Sequence, residues 1–288
     1  MMKLKIMNAT GAAIGETELP PQFSEPLRED LIKKAFLAIQ NNTRQAYGSY
    51  KEAGQRHAVK ISKRRRDYKG SYGKGISRVP RKTLSRRGSQ FFWVGANAPG
   101  TVGGRKAHPP KVEKAWAWKL NTKEKRKAIR SAISATMIKE LVIKRGHLIP
   151  PNYPFILAED MEKINKTKQL LEVLNKLGFE AELNRASNVR IRAGVGKLRG
   201  RRRIQKKSLL IVVSDVKEIC KAVSNIAGVE VINIKKLNTN ALAPGGHPGR
   251  VTLFTVKALE ELKNGLFTNK KLEKMPAHEK KQRAEGKK

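Results

Sequence analysis

Runs of Arg and Lys beside glycines and aromatic rings are the part of this sequence best suited to chemistry. The 288-residue chain has 62 Lys and Arg against 24 Asp and Glu, a formal net charge of +38. A guanidinium can grip two phosphate oxygens at once and an ammonium can neutralise one, so both suit nucleic-acid phosphates. A protein with this charge repels other copies of itself and attracts polyanions.

The positive charge is concentrated in three segments. Residues 53–108 hold 15 basic residues and a single acid, residues 184–207 hold 10 basic residues and no acid, and residues 263–288 hold 9 basic and 3 acidic residues. The other 182 residues carry only +8, which is compatible with one globular domain large enough to bury a core.

We predict RNA contacts in the first two segments. Cations would neutralise phosphates, glycines would let the backbone pass close to the sugar-phosphate chain, and rings would stack on exposed bases. The predicted RNA-binding residues are Arg56, His57, Lys63, Arg64, Arg65, Arg66, Tyr68, Tyr72, Lys74, Arg78, Arg81, Lys82, Arg86, Arg87, Phe92, Trp93, Arg105, Lys106, His108, Arg190, Arg192, Lys197, Arg199, Arg201, Arg202, Arg203, Lys206 and Lys207.

The triplet Phe91, Phe92 and Trp93 lies between a basic stretch and a run of glycines and prolines, which favour neither a helix nor a central strand. Unstacked nucleobases would give these rings a surface to cover, each stack contributing about 1 to 3 kcal/mol. The alternative is a small strand folded back on the globular domain, and the sequence leaves both open.

Motifs for cofactors and catalysis are poorly matched. The third glycine of the 194–200 stretch comes one position too late for a dinucleotide loop, and the five histidines are dispersed rather than in zinc-ligand spacing. Cys220 lies in an apolar helical pattern typical of a core thiol, and the sequence PGGHPGR around His247 suits either an RNA contact or a chain reversal. We therefore expect no enzyme activity, no cofactor and no metal.

The cysteine content and the hydropathy of the sequence limit the cellular compartments in which we expect the protein. A lone cysteine excludes an internal disulfide and favours a reducing cytosol. No apolar run reaches the length of a signal-peptide core at the N-terminus or of a membrane span elsewhere. We expect neither export nor membrane insertion.

The remaining sequence has an α/β pattern. We predict a turn-like segment over 8–21 and strands at 3–7, 154–159, 208–215, 229–234 and 251–256. We predict helices at 25–42, from a capping-box start at Asn121 to 144, and at 166–177, 216–226 and 257–263. Continuous apolar runs such as LLIVV suit strands buried on both faces, so the predicted fold is a three-layer α/β/α domain with a mostly parallel sheet.

The domain organisation follows from the basic segments. We predict one α/β domain over 1–263, interrupted by a long irregular basic extension at 53–110, with a basic C-terminal tail at 264–288 that is disordered when alone. Fully stretched, the extension could reach on the order of 90 Å from its base.

Three stretches carry a family resemblance: GKGISRVPRK (73–82), FFWVGANAPGTVGGRKAHPPKVEKAWAWKLNTKEKRKAIRSAISAT (91–136) and GVGKLRGRRRIQKKSLLIVVSD (194–215). They resemble the uL-four family of large-subunit ribosomal proteins, in its archaeal and eukaryotic branch. The similarity covers the chain up to about residue 263, and the tail is outside it.

The resemblance implies a structural constituent of the cytoplasmic ribosome whose partners are large-subunit ribosomal RNA and neighbouring ribosomal proteins, and we expect no homo-oligomer. It also implies a loop threaded into RNA, with a tip that lines the nascent-peptide exit tunnel and meets the nascent peptide. The residues carried over to that tip are Ser85, Gly88, Ser89, Gln90, Phe91, Gly95, Ala96, Asn97, Gly100 and Thr101.

Two other classes stay as alternatives. Charge alone would allow an architectural DNA-binding protein, although such proteins more often read a groove with a helix. An RNA-modifying enzyme on an α/β sheet would need a cofactor loop or a convergent acid and base, which the sequence does not supply.

Overall fold

The computed structural model describes residues 2–268. The described residues divide into two compact units, one formed by 2–42 with 118–268 and one formed by 43–117. We refer to the described parts of these as the α/β unit and the extension.

The α/β unit alternates strands and helices along most of its length. Its strands are β1 (Lys3–Met7), β2 (Ala13–Glu18), β5 (Ile156–Leu157), β6 (Arg190–Ile191), β7 (Arg203–Ile204), β8 (Leu210–Val213), β9 (Glu230–Asn233) and β10 (Thr252–Thr255). Its α-helices are α1 (Glu29–Asn42), α2 (Thr122–Met137), α3 (Lys139–Lys144), α4 (Thr167–Lys176), α5 (Glu180–Ser187), α6 (Ile219–Val223), α7 (Thr239–Leu242) and α8 (Val256–Lys263). The extension supplies β3 (Arg81–Arg87) and β4 (Gln90–Gly95).

Six strands form the central sheet in the order β2-β1-β5-β10-β8-β9. Every pair in it is parallel except the edge hairpin of β1 and β2. The predicted mostly parallel sheet is therefore confirmed.

Successive residues of β8 alternate between two hydrophobic cores. Ile211 and Val213, with Leu209 immediately before the strand, join the core that also holds residues of α4 and α6. Leu210 and Val212 face the other core, with residues of α1, α2, α7 and α8. A strand buried on both faces needs helices on both faces, which confirms the predicted three-layer architecture.

The segment predicted as turn-like contains a strand. Only residues 8–12 turn, where the Asn8 side chain accepts bonds from the backbone of Thr10 at 3.0 Å and Ala12 at 2.9 Å. The following β2 pairs with β1 at the sheet edge and is mostly exposed. Its polar sequence AIGETE offered no apolar alternation to mark it.

The first helix begins later than predicted. Residues 25–28 are held out of it by α2, because Ser134 Oγ donates to the Glu25 carbonyl at 2.6 Å and the Arg28 amide donates to Ser131 Oγ at 2.7 Å. Pro26 also disfavours helical backbone at the residue before it.

The long helix predicted from the capping-box start at Asn121 to 144 is two helices. The backbone leaves the helical region at Ile138, with φ −87° and ψ 102°. The buried Tyr153 hydroxyl donates to the Thr136 carbonyl at 2.5 Å, which satisfies a group at the helix end. Helix α5 was not predicted at all.

The extension is not wholly irregular, since β3 and β4 form an antiparallel hairpin within it. The predicted tail also differs at its start. Leu266 and Phe267 pack against the α1–α2 side of the sheet, and the side chains of Arg126 and Arg130 donate to the carbonyls of Thr268 and Phe267. The rest of the predicted tail lies outside the described residues.

No helix within residues 2–268 has the length and apolar character needed to cross a membrane.

Candidate nucleic-acid interface

The hairpin of the extension turns at Gly88 and Ser89. Arg87 pairs with Gln90 beside the turn, and Arg81 pairs with Gly95 at the far end. Gly88 has a φ of +55°, a left-handed conformation that glycine adopts without strain and that two-residue hairpin turns require.

The strand pleat sends the three rings of the triplet to opposite faces. Phe91 and Trp93 are half-buried on one face, whereas Phe92 is 52 % exposed on the other. The Phe91 ring meets the Tyr68 ring edge-on with centroids 5.2 Å apart. Two of the rings thus pack within the extension itself, and Phe92 is the one left open to a partner.

Cations cover the packed rings. Arg86 lies 5.4 Å from the Phe91 ring centroid and Lys69 lies 5.1 Å from it, while Arg81 and Lys74 each lie 5.5 Å from the Trp93 centroid. Such contacts stabilise an aromatic cluster without carboxylates. The extension can therefore keep local order and a strong positive charge together.

The outgoing and returning halves of the extension touch at its base. The Ser49 amide donates to the Pro110 carbonyl at 3.0 Å. Gly54 has a φ of +78°, and a β-carbon there would lie 2.5 Å from the Arg105 amide nitrogen. In the α/β unit, Asn42 bonds both the amide and the carbonyl of Trp118, which joins the residues where the chain leaves and returns.

The hairpin separates the residues expected at one tip. Ser85, Gly88, Ser89, Gln90 and Phe91 lie at or near its turn. The other predicted tip residues lie at the opposite end, from the last residue of β4 into a second turn where the Thr101 hydroxyl donates to the Ala98 carbonyl at 2.7 Å. Three strand residues, 92–94, separate Phe91 from Gly95, on the order of 13 Å from one group to the other. These other residues are Gly95, Ala96, Asn97, Gly100 and Thr101.

Most predicted cations of the extension are exposed. Residues 43–117 contain 19 Lys and Arg against 3 Asp and Glu, and one weak ion pair there joins Lys60 to Asp67 at 4.0 Å. A hydrogen bond from Ser62, with Lys60 nearby, lowers the pKa of Asp67. The exposed side chains are those of Arg56, His57, Lys63, Arg64, Arg65, Arg66, Lys74, Arg78, Arg86, Arg87, Arg105, Lys106 and His108, and those of Arg81 and Lys82 are half-buried.

Sequence analysis missed an aromatic cluster near the base of the extension. The Tyr47 and Trp116 rings lie 4.8 Å apart, and the Arg44 guanidinium lies 4.6 Å from the Trp116 centroid. Arg56 similarly lies 4.2 Å from the Tyr50 ring. The stretch RQAYGSYK carried the signal, a repeat of tyrosines beside cations, but it lay outside the predicted boundary.

The second basic segment is also a hairpin. Strands β6 and β7 pair Arg190 with Ile204 and Ile191 with Arg203, and the Arg192 amide donates to the Arg202 carbonyl at 2.8 Å. The exposed cations on it are Arg190, Lys197, Arg199, Arg201, Arg202, Arg203 and Lys207, and Arg192 and Lys206 are half-buried. We call residues 188–207 the basic loop.

A buried carboxylate holds both ends of the basic loop. Glu182 Oε1 accepts from His147 Nδ1 at 2.7 Å and from Ser208 Oγ at 2.9 Å. Its Oε2 accepts from Arg185 Nε at 2.7 Å and from the Leu148 amide at 3.0 Å. Since Arg185 precedes the loop and Ser208 follows it, Glu182 fixes the loop stem.

Burial alone would raise the pKa of Glu182, but hydrogen bonds from Arg185 and His147 outweigh it and lower the pKa to about 2. Burial lowers the pKa of His147 despite its bond to that carboxylate. The imidazole is therefore neutral at pH 7 and donates its Nδ1 proton to Glu182.

A second buried ion pair reinforces the stem. The fully buried Arg250 donates to the Ser208 carbonyl at 2.8 Å, the Ala241 carbonyl at 2.9 Å and Glu230 Oε2 at 2.6 Å. Lys207, the last residue of the loop, also pairs with Glu230. The basic loop is thus joined rigidly to the sheet, as its position before a buried strand suggested.

The carboxyl edge of the sheet, where many α/β proteins bind ligands, has a structural carboxylate. Glu162 accepts from the Ser214 amide at 3.1 Å and from the Thr255 hydroxyl at 2.5 Å, which ties three strand ends together. Cys220 is exposed, contrary to its expected place in the core. Within residues 2–268 no group of three or more potential ligands could hold a metal ion.

Two basic hairpins, one in the extension and one fixed to a three-layer α/β unit, have the physical properties of a structural protein that binds a polyanion. Comparison with known proteins identifies the family within this class. A family model described as the ribosomal protein L4/L1 family matches residues 17–265.

Archaeal proteins named large ribosomal subunit protein uL4 are similar over most of this chain. The Nanoarchaeum equitans protein is 48 % identical over 263 residues, covering 91 % of this chain and 98 % of its own. Those of Archaeoglobus fulgidus and Pyrobaculum aerophilum are 42 % and 43 % identical, covering 91 % and 92 % of this chain and 98 % and 90 % of their own.

The chain belongs to the ribosomal protein L4/L1 family. It is accordingly a structural, non-enzymatic constituent of the large subunit of the cytoplasmic ribosome, associated with the RNA and proteins of that subunit. The resemblance inferred from the sequence motifs is confirmed.

Proposed function

We propose that the protein anchors folded ribosomal RNA through two surfaces, the extension and the basic loop. The observation that carries the proposal is the exposure of cations on both hairpins, with only three acids in the extension and none in the loop. Unpaired surface cations of this density repel one another until phosphates neutralise them.

The two surfaces support different roles. The basic loop is fixed by Glu182 and Arg250 and would dock on RNA as a rigid body. The extension has a local aromatic cluster but little hydrophobic burial, so RNA that surrounds it would complete its order. Phosphate contacts would dominate both, with little base-specific readout.

The same proposal includes the exit tunnel. A chain that enters the RNA core by its extension would present one of its two turns, Gly88–Ser89 or residues 96–101, to the nascent peptide. The small, uncharged residues of both turns suit the wall of a channel through which many sequences pass. Neighbouring ribosomal proteins would meet the remaining surface of the α/β unit.

Crosslinking and mass spectrometry on salt-washed large ribosomal particles test this function. We expect peptides containing Lys82, Phe92 and Arg105 to attach to RNA near the tunnel, and peptides containing Arg201 to attach to a second RNA site. A chain that washes off, or an extension that stays uncrosslinked and protease-sensitive, would contradict the proposal and favour a DNA-binding protein.

A further inference from the structure

A cavity of about 680 Å³ in the α/β unit lies between the end of the basic loop and the PGGHPGR turn and has an excess of positive charge. Its wall includes five cations and a single carboxylate: Lys144, Arg145, Arg185, Lys206, Lys207 and Glu29. Pockets for small ligands commonly have volumes of about 300 to 1,000 Å³. The cavity therefore has room for a nucleotide-sized group.

Arg145 is half-buried in this wall without a carboxylate partner. It donates to the Pro244 carbonyl at 2.6 Å and to the carbonyls of His247 and Pro248, all on the PGGHPGR turn. Burial, together with the nearby Arg250 and Arg185, lowers the pKa of Arg145 to about 10. The group is still charged at pH 7, and carbonyl dipoles alone do not neutralise it.

Two further cations of the cavity are unneutralised. Among residues 2–268, no carboxylate lies within 4.0 Å of the ammonium of Lys144 or Lys206. By contrast, Arg185 pairs with Glu182 and Lys207 pairs with Glu230. The one acid of the wall, Glu29, is exposed, so three free positive charges face one negative charge.

We propose that this cavity binds a phosphate group borne by a ligand of nucleotide size, with Arg145 in the wall and Lys144 and Lys206 beside it. A phosphate matches the site better than a carboxylate because it has more acceptor oxygens and more negative charge to share among three cations. The phosphate could come from an RNA strand or from a free nucleotide. If it comes from RNA, the inference rests on the proposed function and extends the RNA contact of the basic loop into this cavity.

The hydrogen bonds of Arg145 also explain the role of the PGGHPGR turn. The turn around His247 suited either an RNA contact or a chain reversal in the sequence. Here three carbonyls of that turn hold the Arg145 guanidinium in place. A guanidinium held in this way loses little further freedom when it binds an anion.

The test is a titration of the full-length protein with pyrophosphate, a 5′-mononucleotide and a ten-nucleotide RNA at constant ionic strength. The readout is the NMR signals of the His147 and His247 rings, which both line the cavity. The cavity variant is Lys144→Gln with Lys206→Gln, and the matched control is Lys168→Gln with Lys217→Gln, two exposed lysines of the same unit. A further variant adds Arg145→Gln where the protein still folds.

We expect saturable shifts of both rings with pyrophosphate, weakened roughly tenfold or more in the cavity variant and less than twofold in the control. If the mononucleotide also shifts the ring signals, a free nucleotide is a sufficient ligand. If the RNA shifts them and the mononucleotide does not, the ligand is an RNA strand. Either pattern supports the site.

Three results would overturn it: no saturable shift, equal weakening in the cavity and control variants, or equally tight binding of a hexaglutamate peptide. The outcome is separable from that of the proposed function. Failed RNA crosslinks in the extension leave the pyrophosphate titration intact, whereas a failed titration with those crosslinks present removes only this inference.

Discussion

Replacing Glu182 should lower the stability of the α/β unit. It is fully buried and accepts hydrogen bonds from four other residues. Of these, Arg185 precedes the basic loop and Ser208 follows it. Removing its charge leaves Arg185 beside a neutral group and breaks a buried ion pair. We expect Glu182→Gln to lower the free energy of unfolding by about 3 kcal/mol.

Urea unfolding of the full chain at pH 7 measures this loss. The matched control is Glu172→Gln, an exposed position on α4, which should change the free energy by less than about 0.5 kcal/mol. Equal effects of the two substitutions would contradict the role assigned to Glu182.

The same carboxylate should make stability depend on acid. Its pKa in the folded protein, about 2, lies below its ordinary value of 4.5. A lowered folded pKa gives stability that is complete above the unfolded value and is lost as pH falls through the folded value. We expect the stability difference between the native protein and Glu182→Gln to shrink between pH 5 and pH 2.

Unfolding midpoints measured across that pH range check the direction. His147 acts in the same sense, because its lowered pKa makes protonation of the buried ring unfavourable. A stability difference that stays constant down to pH 2 would mean that the carboxylate is not specially stabilised in the fold.

The neighbouring rings Phe91 and Phe92 should behave differently. Phe92 is exposed, so Phe92→Ala should weaken RNA binding by about 1 to 3 kcal/mol if it stacks on a base. Phe91 contacts Tyr68 and is covered by Arg86, so Phe91→Ala should instead loosen the hairpin. Filter binding to large-subunit RNA measures the first effect, and hydrogen exchange of β3 and β4 amides measures the second.

Interchanged effects would contradict the strand register on which this distinction depends. If Phe92→Ala loosened the hairpin while Phe91→Ala weakened RNA binding alone, the faces assigned to β4 would be wrong.

At the scale of elements, the residues of the basic loop that bind RNA are different from those that stabilise its stem. Its cations are exposed and its stem is held by buried residues, so the triple change Arg201→Gln, Arg202→Gln, Arg203→Gln should leave the unfolding midpoint unchanged. It should make the log–log salt dependence of RNA binding shallower by roughly 2, since three phosphate contacts are lost.

The triple change Lys168→Gln, Lys217→Gln, Lys221→Gln is a matched control, because it removes the same charge from exposed positions elsewhere on the unit. A similar change in slope for both triples would indicate a general charge effect and not a localised RNA contact.

At the scale of the whole molecule, the charge of +38 should dominate the binding equilibrium. If about ten phosphates are neutralised, the affinity of the free protein for RNA should fall with salt with a log–log slope between about −7 and −9. Binding measured between low and physiological salt gives the slope. A nearly flat response would be incompatible with both basic surfaces.

The sequence by itself determined the chemistry of the partner and the layers of the fold. Charge density is a property of composition, and a run such as LLIVV must be buried on two faces wherever it lies in a sheet. The motifs from Gly73 to Thr136 also determined the family, since several specific stretches occur in one order. None of these conclusions depends on which side chains finally meet.

Only the tertiary structure decided which residues share a surface. Strand pairing divided the expected tip between two ends of a hairpin and turned Phe92 away from Phe91, because a change of one residue reverses the face of a strand. The contacts of Glu182 and Arg145 join residues far apart in the chain, and no local pattern marks such partners. Polar edge strand β2 and exposed Cys220 were misread for the same reason, since burial depends on neighbours that folding supplies.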